Sequence, residues 1–302
     1  MRKQFCEALI NRATSPQMVF LTGDLGFMAL EDLRDVMGNR FINAGVAEQN
    51  MITVSAAMAK QGLEVWAYSI APFCYARPFE QIRNDVCFHD LPVKIIANGG
   101  GYGYGVMGPT HHAIEDYGIL LTLPKMSAYI PVFDEDLYAV IPEVGADIHP
   151  AYLRLGRGEA PKDFAVPSYA PWRQLTSGQG KVLISVGPIA GTYIAAFMQM
   201  SDSVRPNLWA LSELPLGKYP LPKALQDQIE SGTDLIVIEE HVSRGGFGSE
   251  LALYLVSPSI KPKSFAHFFA KNHIYTHYGS QGYLRKQSGL GVEAICTVVI
   301  QS

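Results

Sequence analysis

The segment Arg40-Phe-Ile-Asn-Ala-Gly-Val-Ala-Glu-Gln-Asn-Met51 passes from a short apolar run, through a glycine, into Met51-Ile-Thr-Val-Ser-Ala-Ala-Met-Ala59. It predicts a strand over 40–43 and a helix over 46–61, the unit from which parallel-sheet α/β folds are built. The helix is apolar or small on nearly every face, which predicts a buried element. Glu48 falls in its first turn. With Gly45 as N-cap, the carboxylate can reach back to orphan backbone N–H groups and complement the helix dipole, worth about 0.3–1 kcal/mol. The other reading is a desolvated acid with a chemical task. The local pattern leaves both open.

The same alternation continues outward. Apolar runs predict strands over 18–22, 64–68, 93–97, 127–131 and 151–155, and helical patterns cover 3–13, 78–87, 112–121 and 135–144. Unbroken apolar strands fit a sheet buried on both faces. From 157 to 180 the character changes: the stretch holds Pro161, Pro167 and Pro171 with Gly158, Gly178 and Gly180, as in a linker ordered along a surface. The α/β pattern then restarts, with strands over 181–186, 207–211, 235–239 and 295–300, and helices over 189–200 and 248–255. The expected architecture is α/β, with parallel-sheet domains over 1–156 and 179–302 joined by a linker over 157–178.

Composition narrows the function. Of 302 residues, 48% are hydrophobic and 17% charged, with a net charge of -4. That balance argues against nucleic-acid or membrane-surface binding. So little charge predicts apolar surface for a large subunit interface. Cys6, Cys74, Cys87 and Cys296 form no metal or disulfide pattern and read as reduced thiols of a cytoplasmic protein. Glu7, Asn11 and Arg12 interrupt the first apolar stretch, so no signal peptide is expected. No run approaches the roughly 18 apolar residues of a membrane span.

Three loops at expected strand ends carry candidate chemistry. Asn98-Gly-Gly-Gly-Tyr-Gly-Tyr-Gly-Val-Met-Gly-Pro-Thr-His-His112 contains G-x-G-x-x-G at Gly103, Gly105 and Gly108, but Pro109-Thr-His-His separates it from the next helix. It reads better as a backbone-exposing loop that brings His111 and His112 to a cleft, histidine being the natural acid–base near neutral pH. Tyr68-Ser-Ile-Ala-Pro-Phe-Cys-Tyr75 places Phe73 and Tyr75 in a second loop, either covering the core or stacking on a planar heterocycle. Val242-Ser-Arg-Gly-Gly-Phe-Gly248 looks like a phosphate-cradling turn, although close helix–strand packing explains its glycines better.

Five ordered motifs resemble the transketolase family: Ala-Gly-Val-Ala-Glu-Gln-Asn50, Arg77-Pro-Phe-Glu-Gln-Ile-Arg83, Gly108-Pro-Thr-His-His-Ala-Ile-Glu-Asp116, Leu155-Gly-Arg-Gly158 and Ile238-Glu-Glu-His-Val-Ser-Arg-Gly-Gly-Phe-Gly-Ser-Glu250. The resemblance is to the C-terminal half of these thiamine-diphosphate enzymes, a pyrimidine-binding domain followed by the transketolase C-terminal domain. It implies that Glu48 hydrogen-bonds N1′ of the cofactor's aminopyrimidine and assists loss of the thiazolium C2 proton. Phe73, aided by Tyr75, would stack on the pyrimidine. His111 would face the substrate carbonyl, with His112, Met107 and Arg157 also at the substrate and Arg157 on a phosphate.

Two departures qualify the resemblance. The family's diphosphate and Mg2+ module, Gly-Asp-Gly…Asn, is missing; Thr22-Gly-Asp-Leu-Gly26 has Leu25 at its third position and reads as an ordinary turn. The resemblance therefore implies a beta-type subunit of a split enzyme. An alpha-type partner would carry the diphosphate domain and most of the Mg2+ contacts, in an α2β2 heterotetramer. Met107 also stands where the family has an aspartate that meets substrate hydroxyls, which puts the usual sugar-phosphate donor in question. The implied reaction is transfer of a two-carbon ketol or acyl unit from a ketose or 2-oxo acid to an aldehyde. The alternatives are the E1 beta subunit of a 2-oxo-acid dehydrogenase, or a non-catalytic assembly subunit of the same fold.

Overall fold

The computed structural model describes every residue except 27, 159, 257–259, 274–277 and 302. The described strands form two sheets. The first is built from β1 (Met18–Thr22), β2 (Phe41–Asn43), β3 (Glu64–Ile70), β4 (Lys94–Asn98), β5 (Ser127–Tyr129) and β6 (Ala151–Leu155). The second holds β7 (Trp172–Thr176), β8 (Val182–Val186), β9 (Asn207–Leu211), β11 (Asp234–Glu239) and β12 (Ser264–Phe269); the two-residue β10 (Glu213–Leu214) crosses over to the first sheet. The strand orders are β10-β5-β6-β4-β3-β1-β2 and β12-β11-β8-β9-β7. All pairings are parallel except β10 with β5 and β7 with β9.

The inner parallel strands are buried nearly throughout, as a sheet covered by helices requires, while the edge strands β2 and β12 are partly open. Helix Glu48–Lys60 turns Glu48, Met51, Ile52, Ser55, Ala56 and Ala59 inward. Those positions follow the three-and-four spacing of one helical stripe, so Glu48 lies in register with the core face. Burying Met51 and Ile52 contributes roughly 1.5–3 kcal/mol each. The opposite face is open: Thr53, Ala57 and Lys60 are exposed. The helix is thus amphipathic, not buried on all sides, because its outward small residues give the sequence little polarity to read.

Two sequence expectations are corrected. The run 295–300 is not a strand but part of helix Val292–Ile300, which buries Ile295 and Val299 one turn apart against Ile189 and Phe197 of helix Ile189–Met198. Its β-branched residues mimic a strand, but the helical period governs its packing. The strand beside β11 is instead β12, paired over 264–269. In addition, the stretch expected as linker carries β7, whose Arg173 is buried against Asp136 of the first half at 2.6 and 2.7 Å. Among the described residues, no helix is long and apolar enough to cross a membrane.

Candidate functional site

The carboxyl ends of β1, β2, β3, β4 and β6 open on one edge of the first sheet, where ligands of parallel sheets usually bind. Helix Glu48–Lys60 follows the outermost strand, β2, and directs Glu48 back across the end of β1. Gly23, just past β1, lies beside the carboxylate: a Cβ there would be in ordinary contact, 3.7 Å from Glu48 Oε1. Glu48 is 4% exposed, yet it does not cap its own helix. Ala47, not Gly45, is the N-cap, which makes Glu48 the first helical residue, and no side chain bonds the first turn. Instead Arg77 Nη1 donates to both carboxylate oxygens, at 3.1 and 3.0 Å.

Arg77 also lies over Phe73, its guanidinium carbon 4.1 Å from the ring centroid. His111 meets the same ring edge-on, with centroids 5.1 Å apart. Glu48 and Phe73, which follow two different strands, therefore both contact one guanidinium, and His111, which follows a third, packs edge-on to Phe73. Thr110 Oγ1 is 3.0 Å from His111 Nδ1. Burial, with the nearby Arg77 cation, holds the His111 imidazole below its ordinary range. It is neutral at pH 7 and able to accept a proton.

The structure separates other residues paired by sequence. Tyr75 lies two positions beyond Phe73 on helix Ala71–Tyr75 and faces inward, 3% exposed, donating its hydroxyl to Glu115 at 3.1 Å. It is not brought beside Phe73 on the guanidinium. His112 is buried, edge-on to Tyr102 and stacked 5.8 Å from His273, while its neighbour His111 faces the cleft. Met107 is exposed at the end of a 3-10 turn. Arg157 is exposed and lines a cavity of about 320 Å3 with Arg2, Asn98, Gly99, Gly103 and Tyr104. The sequence pattern had not marked Arg2 for binding. Asn98 donates to the Tyr104 hydroxyl at 2.6 Å, and the Tyr104 ring stands 6.3 Å from His111.

The loop carrying His111 is fixed by the second half of the chain. Glu240 accepts from the Tyr102 backbone N–H at 2.7 Å and from buried Arg285 at 2.8 and 3.0 Å. Arg154 donates to the Ala113 and Glu240 carbonyls, and its Nε lies 2.8 Å from Asp116. Gly101 is required by this packing: it has a φ of +63, and a Cβ would come within 2.9 Å of the Glu240 carboxyl. The turn at 242–248 is filled from within. Glu239 accepts the Phe247 and Gly248 N–H groups at 2.9 Å, so the helix start that resembled a phosphate cradle holds the chain's own carboxylate. At the Gly23-Asp24 turn, Asp24 accepts a hydrogen bond from the Asn43 amide at 2.8 Å. Among the described residues no three His, Cys, Asp or Glu side chains group as metal ligands.

An open α/β sheet with a buried acid, an aromatic face and a histidine at its strand ends defines the class. Residues 1–162 match the family model described as transketolase, pyrimidine binding domain, and the chain belongs to that family. It is 26% identical over 308 residues to a subunit of the apulose-4-phosphate transketolase of Phocaeicola vulgatus, covering 99% of this chain and 96% of that protein. It is 24% identical over 277 residues to the 1-deoxy-D-xylulose-5-phosphate synthase of Clostridium perfringens, of which it spans only 44%. Its fold superposes with a TM-score of 0.82 on a split gene transketolase solved as an inactive beta4 tetramer, at 26% identity, covering 99% of this chain and 96% of the other.

Proposed function

We propose that this chain is the beta-type subunit of a split transketolase-like enzyme and supplies the pyrimidine side of a thiamine-diphosphate site. The observation that carries the reading is the meeting of buried Glu48 and the Phe73 ring on one planar guanidinium, with His111 packed edge-on to Phe73. Arg77 is a stand-in. A flat N–H donor that binds a carboxylate and lies on an aromatic ring has the chemistry of an aminopyrimidine, which supports a fit of that group to the same space. Bound there, thiamine diphosphate would supply the carbon nucleophile that protein side chains lack.

The chain's residues then divide the work. Glu48 would hydrogen-bond the pyrimidine nitrogen N1′, and its burial keeps water from competing for that contact. Phe73 fixes the ring plane. His111, neutral at pH 7, exchanges a proton with the substrate carbonyl oxygen. Tyr75 and His112 act from beneath, Tyr75 through Glu115 and His112 by packing under the loop. The cavity of Arg2 and Arg157 suits the anionic end of a ketose phosphate or 2-oxo acid. Met107 gives substrate hydroxyls no acceptor, which favours a donor that does not need one.

The diphosphate and Mg2+ fall to a partner. The chain spans less than half of the synthase it resembles, and a similar protein of nearly equal length is named as a transketolase subunit. Val46 and Val106, in the loops of Glu48 and His111, are 74% and 69% exposed, an apolar rim suited to such a chain in an α2β2 assembly. Co-expression with a chain carrying the diphosphate domain, followed by assay of donor consumption, tests the reading. Glu48→Ala and Glu48→Gln should each lower kcat by about a hundredfold or more. Undiminished turnover in both would overturn it.

A further inference from the structure

We infer that Arg77 is a placeholder that occupies the pyrimidine position and must be displaced by the cofactor. The inference rests on the functional reading of Glu48 and Phe73 above. Arg77 uses both oxygens of Glu48 and the face of Phe73, the same two partners assigned to the aminopyrimidine. Two planar groups cannot lie at contact distance on one ring face and reach one carboxylate together.

The exposures show which member of the pair moves. The Glu48 side chain is 4% exposed and is held by a helix packed on the sheet; the Arg77 side chain is 47% exposed. Arg77 lies just beyond the short helix Ala71–Tyr75 and precedes Pro78, so its long side chain can swing into water without unfolding an element. Releasing a half-solvated arginine costs little. Leaving Glu48 buried without a partner costs much more. Arg77 therefore satisfies the acid until the cofactor binds and takes over that contact. Apparent affinity is lowered by the fraction of molecules in which the arginine is in place.

The test is calorimetric titration of thiamine diphosphate, with Mg2+, into the complex of this chain with its diphosphate-domain partner. Wild type is compared with Arg77→Gln and Arg77→Lys. Arg77→Gln should bind about fivefold more tightly, and Arg77→Lys, which keeps the charge but loses the plane, should fall between. The melting temperature of the separate Arg77→Gln chain should drop, because Glu48 loses its counter-charge. Unchanged or weaker binding in both variants overturns the placeholder alone. If Arg77→Gln does not fold, the affinity of Arg77→Lys decides by the same comparison. No binding by the wild-type complex would overturn the functional reading and the placeholder with it.

Discussion

Glu48 is an acid at the first position of its helix that does not serve the helix. Its carboxylate, 4% exposed, meets Arg77, which lies on Phe73 beside His111. The sequence made Glu48 visible because the acid sits on the inward stripe of a helix of small residues. It did not show the partner, since Arg77 is 29 positions away and only the folded chain joins them. It also could not separate His111 from His112, or Phe73 from Tyr75. Neighbouring residues of one type face opposite ways once a loop or helical turn is fixed. His111 gives a prediction at this scale. Burial and Arg77 lower its pKa from 6.5, so nuclear magnetic resonance of the separate chain should find its midpoint below 6.5. In Arg77→Gln the midpoint should rise part of the way back, burial being the larger cause. A wild-type midpoint at or above 6.5 would contradict the electrostatics assigned to the site.

At the scale of elements, the strands of the first sheet were legible because each is an apolar run bounded by turn residues. Less was legible where two patterns coincide. The run 295–300 is β-branched enough for a strand, yet its burial follows a helix. β10 is two residues long and leaves almost no pattern, but it joins the second half of the chain to the first sheet. There Glu213 is fully buried and accepts the Tyr169 hydroxyl at 2.8 Å. Burial and the neighbouring Glu143 carboxylate push its pKa from 4.5 to about 7, despite the Tyr169 bond. A raised folded-state pKa means that the site's stabilisation is complete below about 4.5 and is lost as the pH rises to about 7. Glu213→Gln should therefore stabilise the protein at pH 8, by of order 1–3 kcal/mol, and much less at pH 5. Thermal melts at the two pH values check this; an equal shift at both would contradict the assignment.

At the scale of the whole molecule, the second half is a brace. Glu240 and Arg285 hold the loop of His111, Arg154 ties that loop to the Glu240 carbonyl, and Arg173 locks β7 onto Asp136. Such a brace fixes one side of a cleft. The other side is open, rimmed by exposed Val46, Val106 and Met107. The central claim is that the site becomes whole only between two chains. The most direct measurement is titration of thiamine diphosphate and Mg2+ into the purified chain, and then into its complex with a chain carrying the diphosphate domain. Saturable binding by the complex and none of comparable strength by the single chain is the predicted result. Tight binding by the single chain would contradict the account.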